Sequence, residues 1–161
     1  VLIAILVITF GVLASYSVVQ RIFIQTFSSE NRLTAIYLAE EGLELVRQVR
    51  DSRYLNGTSA SVDFLINCVN PGRYCELDST NQGTDPAIIN SSTPPRKLKI
   101  GNNLYNYTTG TDSKFTRKIE VFSWSPPSEN LDFCKIVVTV SWQERGQTHS
   151  VRAEEILSDW I

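Results

Sequence analysis

The longest uncharged run in the chain is its N-terminal segment, Val1–Gln20, which contains no Asp, Glu, Lys or Arg. About 20 mostly apolar residues form a helix that is long enough to cross the ~30 Å hydrocarbon core of a bilayer. The alternative is a secretory signal peptide, which has a basic leader before a shorter apolar run. The run as given has no basic leader, and helical patterning continues through the first charge, Arg21. We therefore expect a retained membrane helix.

The helical pattern extends well beyond the apolar run. No proline occurs in the first fifty residues, and Gly11 and Gly42 are the only glycines among them. Apolar residues then recur at spacings of three and four, with a polar stripe of similar spacing on another face, which is the pattern of an amphipathic helix. The apolar positions are Ile36, Ala39, Leu43, Val46 and Val49, and the polar ones are Glu40, Glu44, Arg47 and Asp51. Glu44–Arg47 and Arg47–Asp51 have the spacing of surface ion pairs. We expect the helix to end near Asp51–Asn56, at about 75 Å in length. Its first half then needs lipid or an assembly, and its second half carries a globular head.

The chain has three cysteines. Cys68 and Cys75 flank a Pro-Gly turn, and this spacing suits a small disulfide loop in an oxidising compartment. Such a bridge stabilises a protein by roughly 2–3 kcal/mol in the chain-entropy account. Cys134 is either a buried thiol or a partner for one of the other two. One thiol pair without a nearby histidine is a poor metal-ligand set, so we expect neither a metal nor a cofactor.

Beyond the helix, the sequence indicates an irregular segment, 56–96, and then an antiparallel sheet, 97–158. Lys97–Ile100 and Leu104–Thr108 flank Gly-Asn-Asn and predict a hairpin. Phe115–Trp124 and Phe133–Trp142 predict two longer strands, and the second of these alternates apolar and polar residues with a period of two. A last strand follows from about Thr148 to Leu157. The predicted fold class is α+β: a helix domain, 1–55, followed by a head domain, 56–161, in which the helix packs on a small sheet.

Three segments resemble type IV pilins and pseudopilins. Val1–Ala14 (VLIAILVITFGVLA) resembles the apolar start of these proteins, just after their processing motif. Leu38–Arg47 (LAEEGLELVR) is similar to the "A-x-x-x-A-E-x-G" region in which the helix leaves the membrane. Val138–Trp142 and Ile156–Trp160 are similar to the ending of minor pilins. The family's processing site, and the glutamate that usually follows it, would lie upstream of Val1. The apolar half of the helix contains no proline, which favours a minor pilin or pseudopilin over a major pilin.

The resemblance implies a single-pass subunit of the bacterial inner membrane, with its head outside the cytoplasm, that becomes part of a cell-surface filament. Its partners would be itself or other pilins, the inner-membrane assembly platform and, before assembly, membrane lipid. Gly11 is where helix backbones would approach closely. The expected assembly residues are Val1, Leu2, Ile3, Ile5, Leu6, Ile8, Phe10, Gly11 and Leu13. A type II secretion pseudopilin is the nearest alternative.

Other function classes have weaker support in the sequence. The net charge is −2, so no basic surface indicates nucleic-acid binding. His149 is the single histidine, and no phosphate loop or nucleophile set occurs, so we do not expect an enzyme. The carboxylates of Glu40, Glu41, Glu44, Glu154 and Glu155 are expected to lie at the surface, where they are solvated or form salt bridges. A membrane-tethered binding module is the remaining alternative, with Asp78–Arg96 as a recognition loop. A contact face for that module would consist of Tyr105, Tyr107, Phe122 and Trp124, although most of these suit an ordinary core.

Overall fold

A single long α-helix, α1, forms the N-terminal third of the chain. The computed structural model describes residues 1–55, 72–79, 87–90, 93–124 and 133–158. Helix α1 runs from Leu2 to Leu55 without interruption, because no proline removes a backbone donor along its length. The sequence prediction of a helix that ends near residues 51–56 is confirmed.

The chain divides into two compact units, and α1 contributes to both. The first unit is Val1–Thr34, which consists of helix alone. The side chains described between Val1 and Phe27 are all exposed in the isolated chain. The second unit, Ala35–Ile161, contains the rest of α1 and the whole of the described sheet.

Seven strands form one antiparallel sheet in the described part of the chain. In chain order they are β1 (Arg73–Glu76), β2 (Ala87–Asn90), β3 (Lys97–Gly101), β4 (Leu104–Asn106), β5 (Thr111–Trp124), β6 (Phe133–Glu144) and β7 (Gln147–Ser158). Strand β5 is central: β6 pairs along one edge of it, and β3 and β1 pair with successive parts of the other. Strand β7 extends the sheet beyond β6, while β4 and β2 extend it beyond β3 and β1. The α+β class and the antiparallel sheet are confirmed.

Two-residue turns close the β3–β4 and β6–β7 hairpins. Asn102 and Asn103 join β3 to β4 with φ angles of 52° and 61°, and Arg145 and Gly146 join β6 to β7 with 53° and 78°. Positive φ at both central positions is the type I′ pattern, whose twist matches that of paired strands. Asparagine and glycine tolerate this conformation best. The hairpin predicted around Asn102 is confirmed.

The prediction of an irregular segment at 56–96 is wrong for β1 and β2. Residues Tyr74, Cys75 and Glu76 of β1 are buried one after another. A strand whose consecutive residues are all buried has no polar–apolar alternation, so period-two patterning does not reveal it. The sequence around β1 and β2 is rich in the residue types that are common in loops, and it therefore gave no signal of a strand.

The core of the second unit lies between α1 and one face of the sheet. The helix contributes a stripe of small and branched residues, and the facing side of β5 and β6 contributes alternate residues. The helix residues are Ala35, Leu38, Ala39, Leu45, Val46 and Val49, and the β6 residues are Cys134, Ile136, Val138, Val140 and Trp142. The predicted alternation of β6 is confirmed, with one addition: Val137, on the other face, is also buried.

Candidate functional site

The apolar half of α1 is the largest exposed hydrophobic surface in the described structure. The nine residues that we expect to mediate assembly all lie on it, and the exposed fractions of its large apolar side chains range from 99% at Val1 to 47% at Val19. None of the most apolar part of this helix is buried, and the helix is long and apolar enough to cross a membrane. Burial of a Leu, Ile or Phe side chain contributes about 1.5–3 kcal/mol. A surface of this kind is stable only in lipid or against other protein.

Several polar side chains in this half donate hydrogen bonds within the helix itself. Thr9 Oγ1 donates to the Leu6 carbonyl at 2.9 Å, and Ser17 Oγ donates to the Ala14 carbonyl at 2.8 Å. Gln20 Nε2 donates to the Tyr16 hydroxyl at 2.9 Å. An unsatisfied polar group in hydrocarbon is penalised by several kcal/mol, and these bonds avoid that penalty. The segment is therefore suited to an apolar environment in its side chains as well as its backbone.

Gly11 lies in open space. A Cβ atom placed on it meets no atom within 4 Å. The isolated chain therefore gives no packing reason for a glycine here, and a larger side chain would not disturb the monomer. The predicted role of Gly11 in close approach between helices stays a prediction.

Gly42 is the glycine that the head itself requires. A Cβ atom there would lie 2.8 Å from Val138 Cγ1 on β6 and 3.2 Å from Arg117 Cδ on β5. Any side chain would push α1 away from the sheet, because protein cores leave no spare volume of this size. Gly42 therefore sets the distance between the helix and the sheet within the second unit.

Arg117 is a fully buried cation at this contact. Its Nη1 donates to the Leu38 carbonyl at 3.1 Å and pairs with Glu41 Oε2 at 3.2 Å, while Nη2 donates to the Leu77 carbonyl. Its own carbonyl accepts a hydrogen bond from the Tyr107 hydroxyl at 3.1 Å. Arg117 Nε has no hydrogen-bond partner within the described residues. The guanidinium of Arg117 thus links three parts of the head: α1, the segment that follows β1, and β5 itself. Sequence reasoning did not predict this link.

Two glutamates in the second half of α1 are partners in ion pairs. Glu41 is paired with Arg117, and Glu44 Oε2 lies 2.8 Å from Arg47 Nη1. Arg47 also reaches Glu155 on β7, with Nη2 to Oε1 at 2.7 Å. The hydrogen bond from Arg47 to Glu155 is the main reason that the pKa of Arg47 is raised. The expected Glu44–Arg47 pair is confirmed.

Two of the surface assignments made from sequence need correction. Glu155 is mostly buried and its carboxylate pairs with Arg47, so it is not a solvated surface residue. Asp51 pairs with Arg50, at 2.9 Å from Nε to Oδ1, and not with Arg47 as expected. Glu154 does lie on the outer face, where a hydrogen bond from Lys135 is the main cause of its lowered pKa.

Two described residues of the proposed recognition loop, Asp78 and Arg96, bind other residues of the head. Asp78 is buried and accepts a hydrogen bond from the Tyr107 backbone at 2.7 Å. Arg96 Nε donates to the buried carboxylate of Glu76 at 2.6 Å. Tyr107 is buried and therefore belongs to the core, and this burial raises the pKa of its hydroxyl. The Trp124 side chain and residues 80–86 lie outside what the structure describes.

The remaining candidate residues show no built catalytic or metal site in the described residues. His149 stacks on Trp142, with ring centroids 5.5 Å apart. No group of three or more potential metal ligands occurs among the described side chains. Cys134 is a buried thiol. Cys68 lies outside the described residues, so the Cys68–Cys75 bridge stays a prediction.

Comparisons with protein families, with curated proteins and with solved structures find no match for this chain. The resemblance to pilins therefore rests on the sequence segments quoted above and stays a prediction. To these the structure adds an α+β layout with one long N-terminal helix, whose exposed apolar half is the candidate functional surface.

Proposed function

We propose that this protein is a structural subunit of a type IV pilin-like filament, of the minor-pilin kind, which assembles through the apolar half of α1. The observation that carries the proposal is the contrast between the two units. The second unit has a complete core of its own, while the first is a bare helix with nearly every apolar side chain exposed. Such a helix has to be covered by something outside the chain.

Lipid and a helix bundle both cover an apolar helix, and a pilin subunit uses them in turn. Transfer from lipid to a bundle changes the hydrophobic energy little, because both surroundings are apolar. Close packing and polar pairing then decide whether the bundle forms. The proposed location is the bacterial inner membrane before assembly, with the head outside the cytoplasm. An oxidising compartment would also suit the predicted Cys68–Cys75 bridge.

Replacement of Gly11 with leucine tests this proposal. The monomer should tolerate the change, because no atom lies within 4 Å of the new Cβ and leucine is favourable in lipid. Polymer should be lost, because a bulky residue keeps neighbouring helices apart where small residues let them approach. The amount of chain in sheared filaments and in the membrane fraction measures the two effects separately. We expect at least a tenfold drop in filaments at an unchanged membrane level.

Val12→Leu is the matched control, since it adds bulk one position away where the chain already has a large side chain. It should leave the filament yield within about twofold of the wild-type value. A membrane-tethered binding module that never polymerises would show no filaments for any variant. Equal yields from Gly11→Leu and wild type would contradict the role of Gly11 in assembly.

A further inference from the structure

The charges that follow the apolar run lie on opposite faces of α1. Arg21 and Arg32 are eleven residues apart, about three helical turns, and therefore lie on one face. Glu30 follows Arg21 by nine residues, about two and a half turns, and therefore lies on the opposite face. All three side chains are exposed, and none of them forms an ion pair with another described residue of the chain.

We propose that a second copy of this chain docks on α1 in parallel with a stagger of nine residues, so that Arg21 of one copy pairs with Glu30 of the next. The proposal rests on the proposed filament function, since it concerns the way in which neighbouring helices align. Copies inserted in one membrane in the same direction are parallel. A stagger of nine residues corresponds to an axial displacement of about 13.5 Å.

A stagger of nine residues places opposite charges, Arg21 and Glu30, at one level. An unstaggered arrangement would instead place Arg21 beside Arg21 and Glu30 beside Glu30. Like charges at one level repel, and an unpaired cation among apolar helices loses its hydration without compensation.

The opposite placement of the two signs also fits an open assembly. Each copy offers a cationic face to one neighbour and an anionic face to another, so the interface is heterologous. Interfaces of this kind generate helical filaments when the rotation between copies does not close. The apolar run before Arg21 contains no charged residue that could fix the register of two helices. The charged residues supply the register, as charged positions do in paired helices.

Charge reversal at the two positions tests the pairing. Arg21→Glu alone and Glu30→Arg alone each place like charges together at every interface, and each should reduce sheared filaments at least tenfold. The double variant Arg21→Glu/Glu30→Arg restores the attraction in reverse and should recover the yield to within about threefold of wild type. Arg145→Glu, in the exposed β6–β7 turn, is the matched control and should leave the yield unchanged.

Cysteine cross-linking measures the stagger directly in cells that produce the full chain. In Arg21→Cys/Glu30→Cys the two thiols are about 13.5 Å apart on one helix, which is too far for a bridge within one chain. Mild oxidation should therefore produce a ladder of covalent multimers that wild type lacks. Arg21→Cys/Thr26→Cys, which tests a stagger of five residues, should give no ladder.

The outcomes separate the two proposals. If wild type forms filaments but the double charge variant is not rescued, or the ladder appears only for the five-residue pair, the nine-residue stagger is wrong and the filament function stands. If wild type forms no filaments, both are wrong. Rescue together with the nine-residue ladder supports the stagger.

Discussion

Replacement of Arg117 with alanine is expected to lower the free energy of unfolding by about 3–5 kcal/mol. The side chain is fully buried, so its removal leaves a cavity where the aliphatic stem packs beside Gly42. It also removes the donors to the carbonyls of Leu38 and Leu77. The loss of the Glu41 partner contributes less, because that carboxylate is partly exposed and regains water. Urea titration of the full chain in detergent micelles, followed by tryptophan fluorescence, measures the change.

Lys118→Ala is the matched control for this prediction. Lys118 is the next residue on β5 and its side chain is partly exposed, so its loss should change stability by less than about 1 kcal/mol. Arg117→Lys keeps the charge but lacks the planar fork that reaches two carbonyls and a carboxylate at once, and it should lie between the two. A loss of less than about 1 kcal/mol in Arg117→Ala would show that the guanidinium does not tie the helix to the sheet.

Replacement of Gly42 with leucine is expected to destabilise the head by about 3 kcal/mol or more. Val138 Cγ1 lies 2.8 Å from the position of the new Cβ, and Val138 Cγ2 lies 3.3 Å from it. Valine has one side-chain torsion and no flexible end to swing away, so both methyl groups resist the intrusion. In an open helix the removal of a glycine would stabilise by about 1 kcal/mol. The same titration should therefore give the opposite sign at Gly42.

A second substitution checks that the overlap with Val138 is the cause. Val138→Ala removes both methyl groups and should recover part of the stability that Gly42→Leu loses, so the two changes should not be additive. Glu40→Ala, on the exposed side of α1, changes the helix without touching the sheet and should stay within about 0.5 kcal/mol. Additive losses in the double variant would rule out steric overlap as the mechanism.

The elements with a strong periodic signal were predictable. Helix α1 was predicted because it has no proline and a continuous stripe of apolar residues, and β6 because its residues alternate between core and solvent. The β3–β4 hairpin was predicted from its asparagine pair, which favours positive φ. These signals are local in the chain, so a single sequence is enough to reveal them.

The features that sequence reasoning missed depend on partners distant in the chain. Arg117 alternates with apolar residues on β5 and belongs to the buried face, although its charge suggests solvent. In the sequence, Gly42 looks like an ordinary helix interruption, whereas in the structure Val138 lies against it. The sequence suggests a surface carboxylate at Glu155, whereas in the structure it pairs with Arg47 on α1. Single-sequence patterns do not contain these pairings between α1 and the sheet, because they join residues that are 75 to 108 positions apart in the numbering.

The role of the candidate site in assembly stays a prediction. Its residues form one contiguous run, and the structure exposes all of those that we expect to mediate assembly. The intrahelical bonds of Thr9, Ser15 and Ser17 were not predicted, and they explain how hydroxyl side chains are accommodated in an apolar helix. What covers the helix is a question about other molecules, and it needs a measurement on cells.

Electron microscopy of material sheared from native cells tests the central claim most directly. The cells are labelled with an antibody against the head, residues 56–161, and a gold-conjugated second antibody. We predict gold on filaments, at the tip or at intervals for a minor subunit and along the whole length for a major one. Gold confined to the membrane, with bare filaments in the same field, would contradict assembly through α1 and favour a tethered binding module.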